Sequence, residues 1–276
     1  MKILVSGASG YVGRNLIKFL NDLDCEVLTI CVFQQDLMSL EMQIKHLDKQ
    51  LQKLEPQICD VHTFVHLAWM DTNDWNSSVH QNINKQLSEY LIKRLCSGGI
   101  EHIIVAVTCL EYGVSGGNLS EILPAKPKNE YALAKHALYK SIRIMANKNG
   151  FKLSWLRLFY IFGGDQPPTT IYGSMMEQII RGETTFNMSS GQQVRDYLHI
   201  DTVCQMILAV VVSKEGFDVV NICSGQGFTL EKHVRSWLHD INPEINLSLN
   251  LGALPDRNDE PFHLWGSSQK FDSLLN

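Results

Sequence analysis

Residues 2–20 of the chain read Lys2-Ile3-Leu4-Val5-Ser6-Gly7-Ala8-Ser9-Gly10-Tyr11-Val12-Gly13-Arg14-Asn15-Leu16-Ile17-Lys18-Phe19-Leu20. A short apolar run, three glycines and an amphipathic stretch follow one another without a gap. The apolar run Lys2–Ser6 predicts a buried strand, and 11–20 predicts a helix. The glycines lie where one gives way to the other, so they allow a tight turn that brings backbone N–H groups and a helix N-terminus up to a phosphate. Three glycines are a weak signal by themselves. Their place between a strand and a helix makes them informative.

Outward from that turn the same beat repeats. Strands are predicted over 26–32, 63–67, 103–107 and Lys152–Leu158, and helices over 80–95 and 131–147. In the first of these helices Ile83, Leu87, Leu91 and Leu95 fall on one face. Strands alternating with helices imply parallel βαβ units. After Gly163 the rhythm breaks into the loop Gly163-Gly164-Asp165-Gln166-Pro167-Pro168, followed by a helix over 174–181. A helix over Ile200–Val212 and a strand over 218–223 then return the chain toward the main sheet. The expected fold is α/β: a Rossmann-type doubly wound parallel sheet holding a dinucleotide in 1–162 and 196–224. A smaller C-terminal α+β substrate-binding region takes 163–195 and 225–276.

Composition narrows the function. With 276 residues, 45% of them hydrophobic, the chain can bury a large core. A net charge of -5 with no basic tract disfavours nucleic acid and anionic membranes as partners. No apolar run approaches the roughly 18 residues that span a bilayer, and no signal-peptide layout precedes the first strand, so a cytoplasmic location is expected. The seven cysteines are scattered without a CxxC pair, which points to buried thiols and to no metal.

A dinucleotide-binding turn usually has an acidic residue at the end of the second strand, where it meets the ribose 2′-hydroxyl. Cys31, Val32 and Phe33 stand there instead. Without a carboxylate to repel a 2′-phosphate, and with Arg14 directly after the loop, NADP(H) is favoured over NAD(H). Farther on, Tyr131-Ala132-Leu133-Ala134-Lys135 sets a phenol and an ammonium at i and i+4 on one helical face. A neighbouring cation favours phenolate and would lower a tyrosine pKa from about 10 toward working pH. Proton transfer to a carbonyl or from an alcohol needs such a group.

With the glycine loop and the Tyr-Lys pair, further segments carry a resemblance along nearly the whole chain. They are Phe64-Val65-His66-Leu67-Ala68, Asn82 at the start of the next helix, Thr108-Cys109-Leu110-Glu111-Tyr112-Gly113, the stretch from Leu156-Arg157 to Gly163, and Arg195-Asp196-Tyr197-Leu198-His199-Ile200. In this order they resemble the extended short-chain dehydrogenases/reductases of the NAD-dependent epimerase/dehydratase family. The resemblance implies that Thr108 hydrogen-bonds the reacting oxygen, that Tyr131 is the acid or base, and that Lys135 holds the cofactor ribose and tunes Tyr131. It implies a cofactor site of Gly7, Ser9, Gly10, Tyr11, Val12, Gly13, Arg14, Leu67, Ala68 and Asn82, shared with Tyr131 and Lys135. Arg195 and Arg257 align with arginines that contact the diphosphate of a sugar nucleotide, a role that suits a planar fork of donors. Trp69, Cys109, Glu111 and Tyr160 complete the expected substrate contacts.

The departures are informative. Dehydratases of the family carry Asp-Glu after the catalytic threonine, where this chain has Cys109 and Leu110, so a 4,6-dehydratase is disfavoured. Glu111 reads either as a substrate contact or as a solvated loop carboxylate. Tyr160 stands in place of an asparagine, and Trp69 in place of a small residue. The Thr-Cys-Leu-Glu-Tyr-Gly stretch, with Leu67-Ala68-Trp69 and Phe186-Asn187-Met188-Ser189, most resembles reductases of nucleotide-linked 4-keto-6-deoxyhexoses, such as a dTDP-4-dehydro-6-deoxyglucose 4-reductase, that serve O-antigen and lipopolysaccharide biosynthesis in bacteria. The alternatives are a nucleotide-sugar 4-epimerase that retains its NAD, and a non-catalytic dinucleotide-binding protein. The resemblance also implies a homodimer packed through helices near 80–97 and 130–147.

Overall fold

The computed structural model describes residues 1–34, 36, 39–113, 116–213, 215–256 and 261–274. Its centre is a six-stranded sheet in the spatial order Asp218–Ile222, Lys152–Leu158, His102–Thr108, Thr63–His66, Lys2–Ser6, Glu26–Ile30. Every neighbouring pair is parallel. Both faces are covered, and the alternation along single strands shows how. Leu4, Phe64, Ile103 and Val105 point into a core shared with helices Leu40–Ile58, Gln86–Cys96 and Glu130–Asn149. Ile3, Val5, Val65 and Ile104 point the other way, onto helices Tyr11–Asn21 and Ile200–Val212. A strand apolar on both faces is what a doubly wound parallel sheet requires.

These cores, with their buried Leu, Ile and Val side chains contributing about 1.5–3 kcal/mol each, hold the fold. The ion pairs add little: Lys45–Glu41, Arg181–Glu177 and Arg235–Glu231 all lie at the surface, where a pair is worth about 0–1 kcal/mol.

The sequence reading leaves residues 33–62 without an element, yet a helix crosses there over Leu40–Ile58. Its signal was present in Leu47, Leu51, Leu54 and Ile58, spaced three or four apart. The apolar seam at Leu87 and Leu91 is fully buried against the chain's own sheet. Burial therefore accounts for the seam, which no longer argues for a dimer. Among the described residues no helix is long and apolar enough to cross a membrane.

Beyond residue 160 the chain builds smaller sheets by long-range pairing. Tyr160–Phe162 pairs with Tyr197–His199, Thr185–Asn187 with Ser248–Asn250, and Gly117–Leu119 joins His263–Gly266 in a four-stranded sheet. Asp196, fully buried, ties this half to the main sheet by accepting hydrogen bonds from the backbone N–H groups of Ser224, Gly225 and Gly266.

Candidate active site

The chain leaves Lys2–Ser6 toward one side of the sheet and continues at Thr63–His66 on the other, so a crevice opens at the carboxyl ends of these two strands. Ser6 and His66 lie opposite each other in register. The Ser6 hydroxyl and His66 Nδ1 are 2.7 Å apart, and His66 Nε2 is 2.9 Å from the Ser88 hydroxyl. Burial pushes the His66 pKa down to about 3. A neutral histidine thus pins the strand ends beneath the crevice.

The crevice is a cavity of about 550 Å³ lined by Gly7, Ser9, Gly10, Leu67, Ala68 and Trp69, with Thr29, Cys31 and Phe33 toward its outer end. Its three glycines serve different purposes. At Gly7, with φ at 78°, a Cβ would lie 2.6 Å from the Ala68 nitrogen. At Gly13 it would lie 2.0 Å from the Gly7 carbonyl oxygen, so the helix packs on the turn only without a side chain. At Gly10 the closest protein atom would be 3.3 Å away and the backbone is extended, with φ at -75°. The first and third glycines are demanded by the protein itself. Gly10 sits at the helix N-terminus with its open side on the cavity, which leaves room for a pyrophosphate to approach the turn. The cradle fits a dinucleotide.

Other residues expected at this site sit differently. The Tyr11 hydroxyl donates to the Gly163 carbonyl at 2.7 Å, and Val12 packs into the core beside the sheet. Arg14 donates from Nε and Nη2 to Asp165, at 3.0 and 2.7 Å, and from Nη1 to the Ser9 carbonyl. It does not line the cavity. The expectation that Arg14 offers a cation to a 2′-phosphate is therefore corrected: its guanidinium ties the loop at Asp165 to the first helix. Among the described residues lining this cavity there is no Lys or Arg.

Asn82 is exposed, and Asn84 is the buried amide, exchanging two hydrogen bonds with the backbone of Met70. The segment His80–Lys85 is π-helical. The wider turn shifts which residues face inward, a shift that ordinary helical spacing could not show.

The residues expected to react come from two elements. Thr108 ends the strand His102–Thr108 and caps the following 3-10 turn, its hydroxyl accepting from the Leu110 N–H at 3.1 Å. Tyr131 and Lys135 lie in the first turns of Glu130–Asn149, which starts with the Asn129 side chain accepting from Ala132 N–H and with Tyr131 N–H donating to the Trp75 carbonyl. Lys135 is 2% exposed. Its Nζ donates to the Ala106 carbonyl at 3.0 Å and sits 3.8 Å above the Trp69 ring.

Trp69, His80 and Tyr131 form an aromatic cluster, with His80 5.2 Å and Trp69 6.1 Å from the Tyr131 ring. Trp69 Nε1 donates to His80 Nδ1. His80 Nε2 in turn lies 2.8 Å from the Asp74 carbonyl, which fixes the tautomer with the proton on Nε2. Trp69, expected beside the substrate, lines the glycine-loop cavity instead. His80 was not singled out in the sequence, where a lone histidine carries no signal.

The expectation that Lys135 lowers the Tyr131 pKa does not hold here. Burial, with smaller contributions from Cys109 and Glu111, pushes the phenol above its ordinary value. The lysine Nζ is 5.9 Å from the Tyr131 ring centre, and burial pulls its own pKa down to about 7. A phenol in this state keeps its proton at neutral pH.

Glu111 is neither a substrate contact nor solvated. It is fully buried, accepting from Arg157 Nε at 2.8 Å and Trp155 Nε1 at 3.1 Å. Cys109 is buried in a small apolar cluster with Tyr112, Leu119 and Phe159. Both are removed from the list of expected substrate contacts by their burial.

A second cavity of about 490 Å³ lies between the turn at Trp75 and the C-terminal half. Tyr160, Arg195, Tyr197, Gln193, Phe186 and Met188 are among its lining residues. Arg195 donates from Nη1 to the carbonyls of Val194 and Phe262, and its guanidinium lies 5.3 Å from the Tyr160 ring centre. Arg257 lies outside the described residues.

The fold is a doubly wound α/β sheet with a cavity that fits a dinucleotide, with Thr108 at a strand end and Tyr131 and Lys135 on the helix Glu130–Asn149. Residues 3–223 match the model of the NAD dependent epimerase/dehydratase family, and the chain belongs to that family. It is 25% identical over 283 residues to a dTDP-6-deoxy-L-talose 4-dehydrogenase (NAD(+)) of Aggregatibacter actinomycetemcomitans, covering 97% of this chain and 100% of the relative. A GDP-6-deoxy-D-talose 4-dehydrogenase of the same organism is 25% identical over 237 residues, covering 83% of this chain and 76% of the relative. Among solved structures, the UDP-N-acetylglucosamine 4-epimerase of Methanobrevibacter ruminantium M1 superposes with a TM-score of 0.80 at 19% identity, covering 100% of this chain and 92% of that one.

Proposed function

We propose that the protein is an NAD(H)-dependent oxidoreductase acting at C4 of a nucleotide-linked 6-deoxyhexose, reducing the 4-keto sugar or running the reverse oxidation. The observation that carries this reading is the turn after Thr108. A dehydratase would place its acid and base there, and this chain buries Cys109 and Leu110 instead. Tyr131 then stands as the proton donor. A relative that matches over 97% of this chain and all of its own is a 4-dehydrogenase of a dTDP-6-deoxy sugar, which supports the same chemistry.

In this reading Gly7, Ser9 and Gly10 would hold the pyrophosphate and Lys135 the ribose of the dinucleotide, which would supply the hydride. Thr108 and Tyr131 face the C4 oxygen. Thr108 donates a hydrogen bond as negative charge develops there, and Tyr131 gives up its proton to make the alcohol. Arg195 holds the diphosphate in the second cavity, where its fixed fork suits a phosphate. Residues 1–162 and 196–224 carry the dinucleotide, and 163–195 with 225–276 carry the sugar nucleotide. Among the described residues the cavity offers no cation to a 2′-phosphate, so NAD(H) replaces NADP(H) as the proposed cofactor.

The deciding experiment follows NADH and NADPH oxidation against a panel of nucleotide 4-keto-6-deoxy sugars, with the C4 configuration of the product read by NMR. Turnover with added NADH supports the reading, and no oxidation with any member defeats it. A 4-epimerase is the second reading, favoured by a UDP-glucose 4-epimerase of Halalkalibacterium halodurans that is 23% identical along 100% of this chain. It would purify with NAD bound and invert C4 without added cofactor.

A further inference from the structure

Along the glycine-loop cavity the lining follows a fixed order. Cys31 and Phe33 stand at the outer end, where the second strand of such a fold meets the adenosine ribose, and Gly7 and Gly10 stand at the helix N-terminus that faces a pyrophosphate. The nicotinamide half of a dinucleotide must then run past Ala68 and Trp69 toward Thr108, Tyr131 and Lys135. Among the described residues that line the cavity, these last three do not appear. Lys135 is 2% exposed, and its ammonium is closed in by the Ala106 carbonyl at 3.0 Å and the Trp69 ring at 3.8 Å. Trp69 belongs to both places: it is half-buried, lines the cavity and covers the ammonium.

The indole is held where it is. Its Nε1 donates to His80 Nδ1 at 3.1 Å, its plane lies within 23° of the His80 ring with centroids 6.2 Å apart, and Tyr131 meets it edge-on. His80 is fully buried and fixed at both nitrogens, with Asn84 Nδ2 3.3 Å from Nδ1 and the Asp74 carbonyl 2.8 Å from Nε2. An indole whose N–H has a partner and whose face carries a cation occupies a defined place. In that place one side chain separates the ammonium from the cavity.

We propose that Trp69 is a specificity-determining gate: with its ring on Lys135 the cavity takes the ADP half of a dinucleotide, and the nicotinamide half enters only when the ring leaves the lysine. The inference rests on the reading that Lys135 holds the ribose of a dinucleotide. Two ligands that share the ADP half then behave differently. ADP needs the glycine cradle alone, and Trp69 stays on the lysine. NAD⁺ has to break the indole–ammonium contact, so its apparent affinity is lowered to the fraction of molecules in which the ring is already away.

An aromatic ring shifts protons held over its face upfield, so the ε-methylene of Lys135 carries a signature of the closed gate. It is read in the ¹H–¹³C NMR spectrum of protein whose lysines carry ¹³C at Cε, and the Lys135 signal is assigned by its loss in Lys135→Met. In the free protein it should lie upfield of the other lysines, and Trp69→Leu should return it among them. Saturating ADP should leave it upfield, whereas saturating NAD⁺ should bring it among the ordinary lysines. Calorimetry gives a second readout: Trp69→Leu should bind ADP as the wild type does and raise the affinity for NAD⁺ relative to ADP about tenfold.

The comparison of ADP with NAD⁺ is made on the wild-type protein and does not depend on a variant folding. A Lys135 signal that stays upfield in the NAD⁺ complex, moves under ADP, or lies among the ordinary lysines from the start overturns the proposal. So does an unchanged or lower NAD⁺ to ADP affinity ratio in folded Trp69→Leu. A protein that binds no NAD⁺ defeats the cofactor reading and the gate together, and NAD⁺ binding with an unmoved signal defeats the gate alone. A moved signal in a protein that reduces no keto sugar leaves the gate standing while the sugar assignment falls.

Discussion

The two cavities of the molecule are built by opposite means. The glycine-loop cavity is shaped by backbone: a turn of consecutive residues, a helix N-terminus and two adjacent strand ends. The second is shaped by side chains drawn from 75, 160–174, 186–197, 230 and 254–255, segments that meet only after the small sheets have paired. A backbone site tolerates changes that keep its path and fails when the path is filled. A side-chain site loses affinity one contact at a time.

The predictions separate these behaviours. The largest effect belongs to Tyr131, which touches Trp69 of one cavity and Trp75 of the other. Tyr131→Phe removes one oxygen, so stability and NADH binding should barely change. Turnover should fall roughly 10²–10⁴-fold, or about 3–5 kcal/mol of transition-state stabilisation. Turnover close to wild type, with chemistry limiting the rate, would remove Tyr131 from the proton transfer.

Next come the glycines, which should diverge although they share one turn. Gly10→Val should weaken NADH binding about 100-fold, roughly 3 kcal/mol, in a protein that still melts cooperatively. Gly13→Ala should instead cost about 2–3 kcal/mol of stability, because its Cβ falls on the Gly7 carbonyl. Fluorescence titration with NADH and thermal melts distinguish the two. Equal melting losses in both variants would contradict the separate roles assigned to them.

Arg195→Met tests the side-chain cavity. Losing a charged hydrogen-bond donor costs about 1.5–3 kcal/mol, so KM for the sugar nucleotide should rise by about tenfold or more while the NADH dissociation constant holds steady. An equal loss in both would place Arg195 in the framework shared by the cavities.

The smallest effect is expected at Arg14, whose ion pair with Asp165 is about half exposed. Arg14→Ala should lower stability by less than about 1 kcal/mol and leave the ratio of NADH to NADPH affinity unchanged. A loss confined to NADPH would restore the cation role that the structure denies it.

The legible parts of the site share a property with the glycine turn. Its chemistry depends on residues adjacent in the chain, and so does the i, i+4 relation of Tyr131 to Lys135, because helical geometry converts spacing into direction. Where geometry departs from the standard period, the reading slips. The π-helical turn at His80–Lys85 put Asn84 inside and Asn82 outside, and no spacing rule for an α-helix could have chosen between them.

By itself the sequence determined the alternating strand and helix pattern, the glycine turn between the first strand and helix, and the i, i+4 spacing of phenol and ammonium, since these follow from local periodicity and backbone sterics. Only the tertiary structure decided where charges end. Arg14 turned to Asp165, Glu111 went to Arg157, and Lys135 settled on the Trp69 ring, partners from 46 to 151 residues apart in the chain, for reasons of packing that no local window contains. Burial then set the protonation states: the same phenol that spacing predicts to be acidified is held protonated once water is excluded and its lysine faces elsewhere.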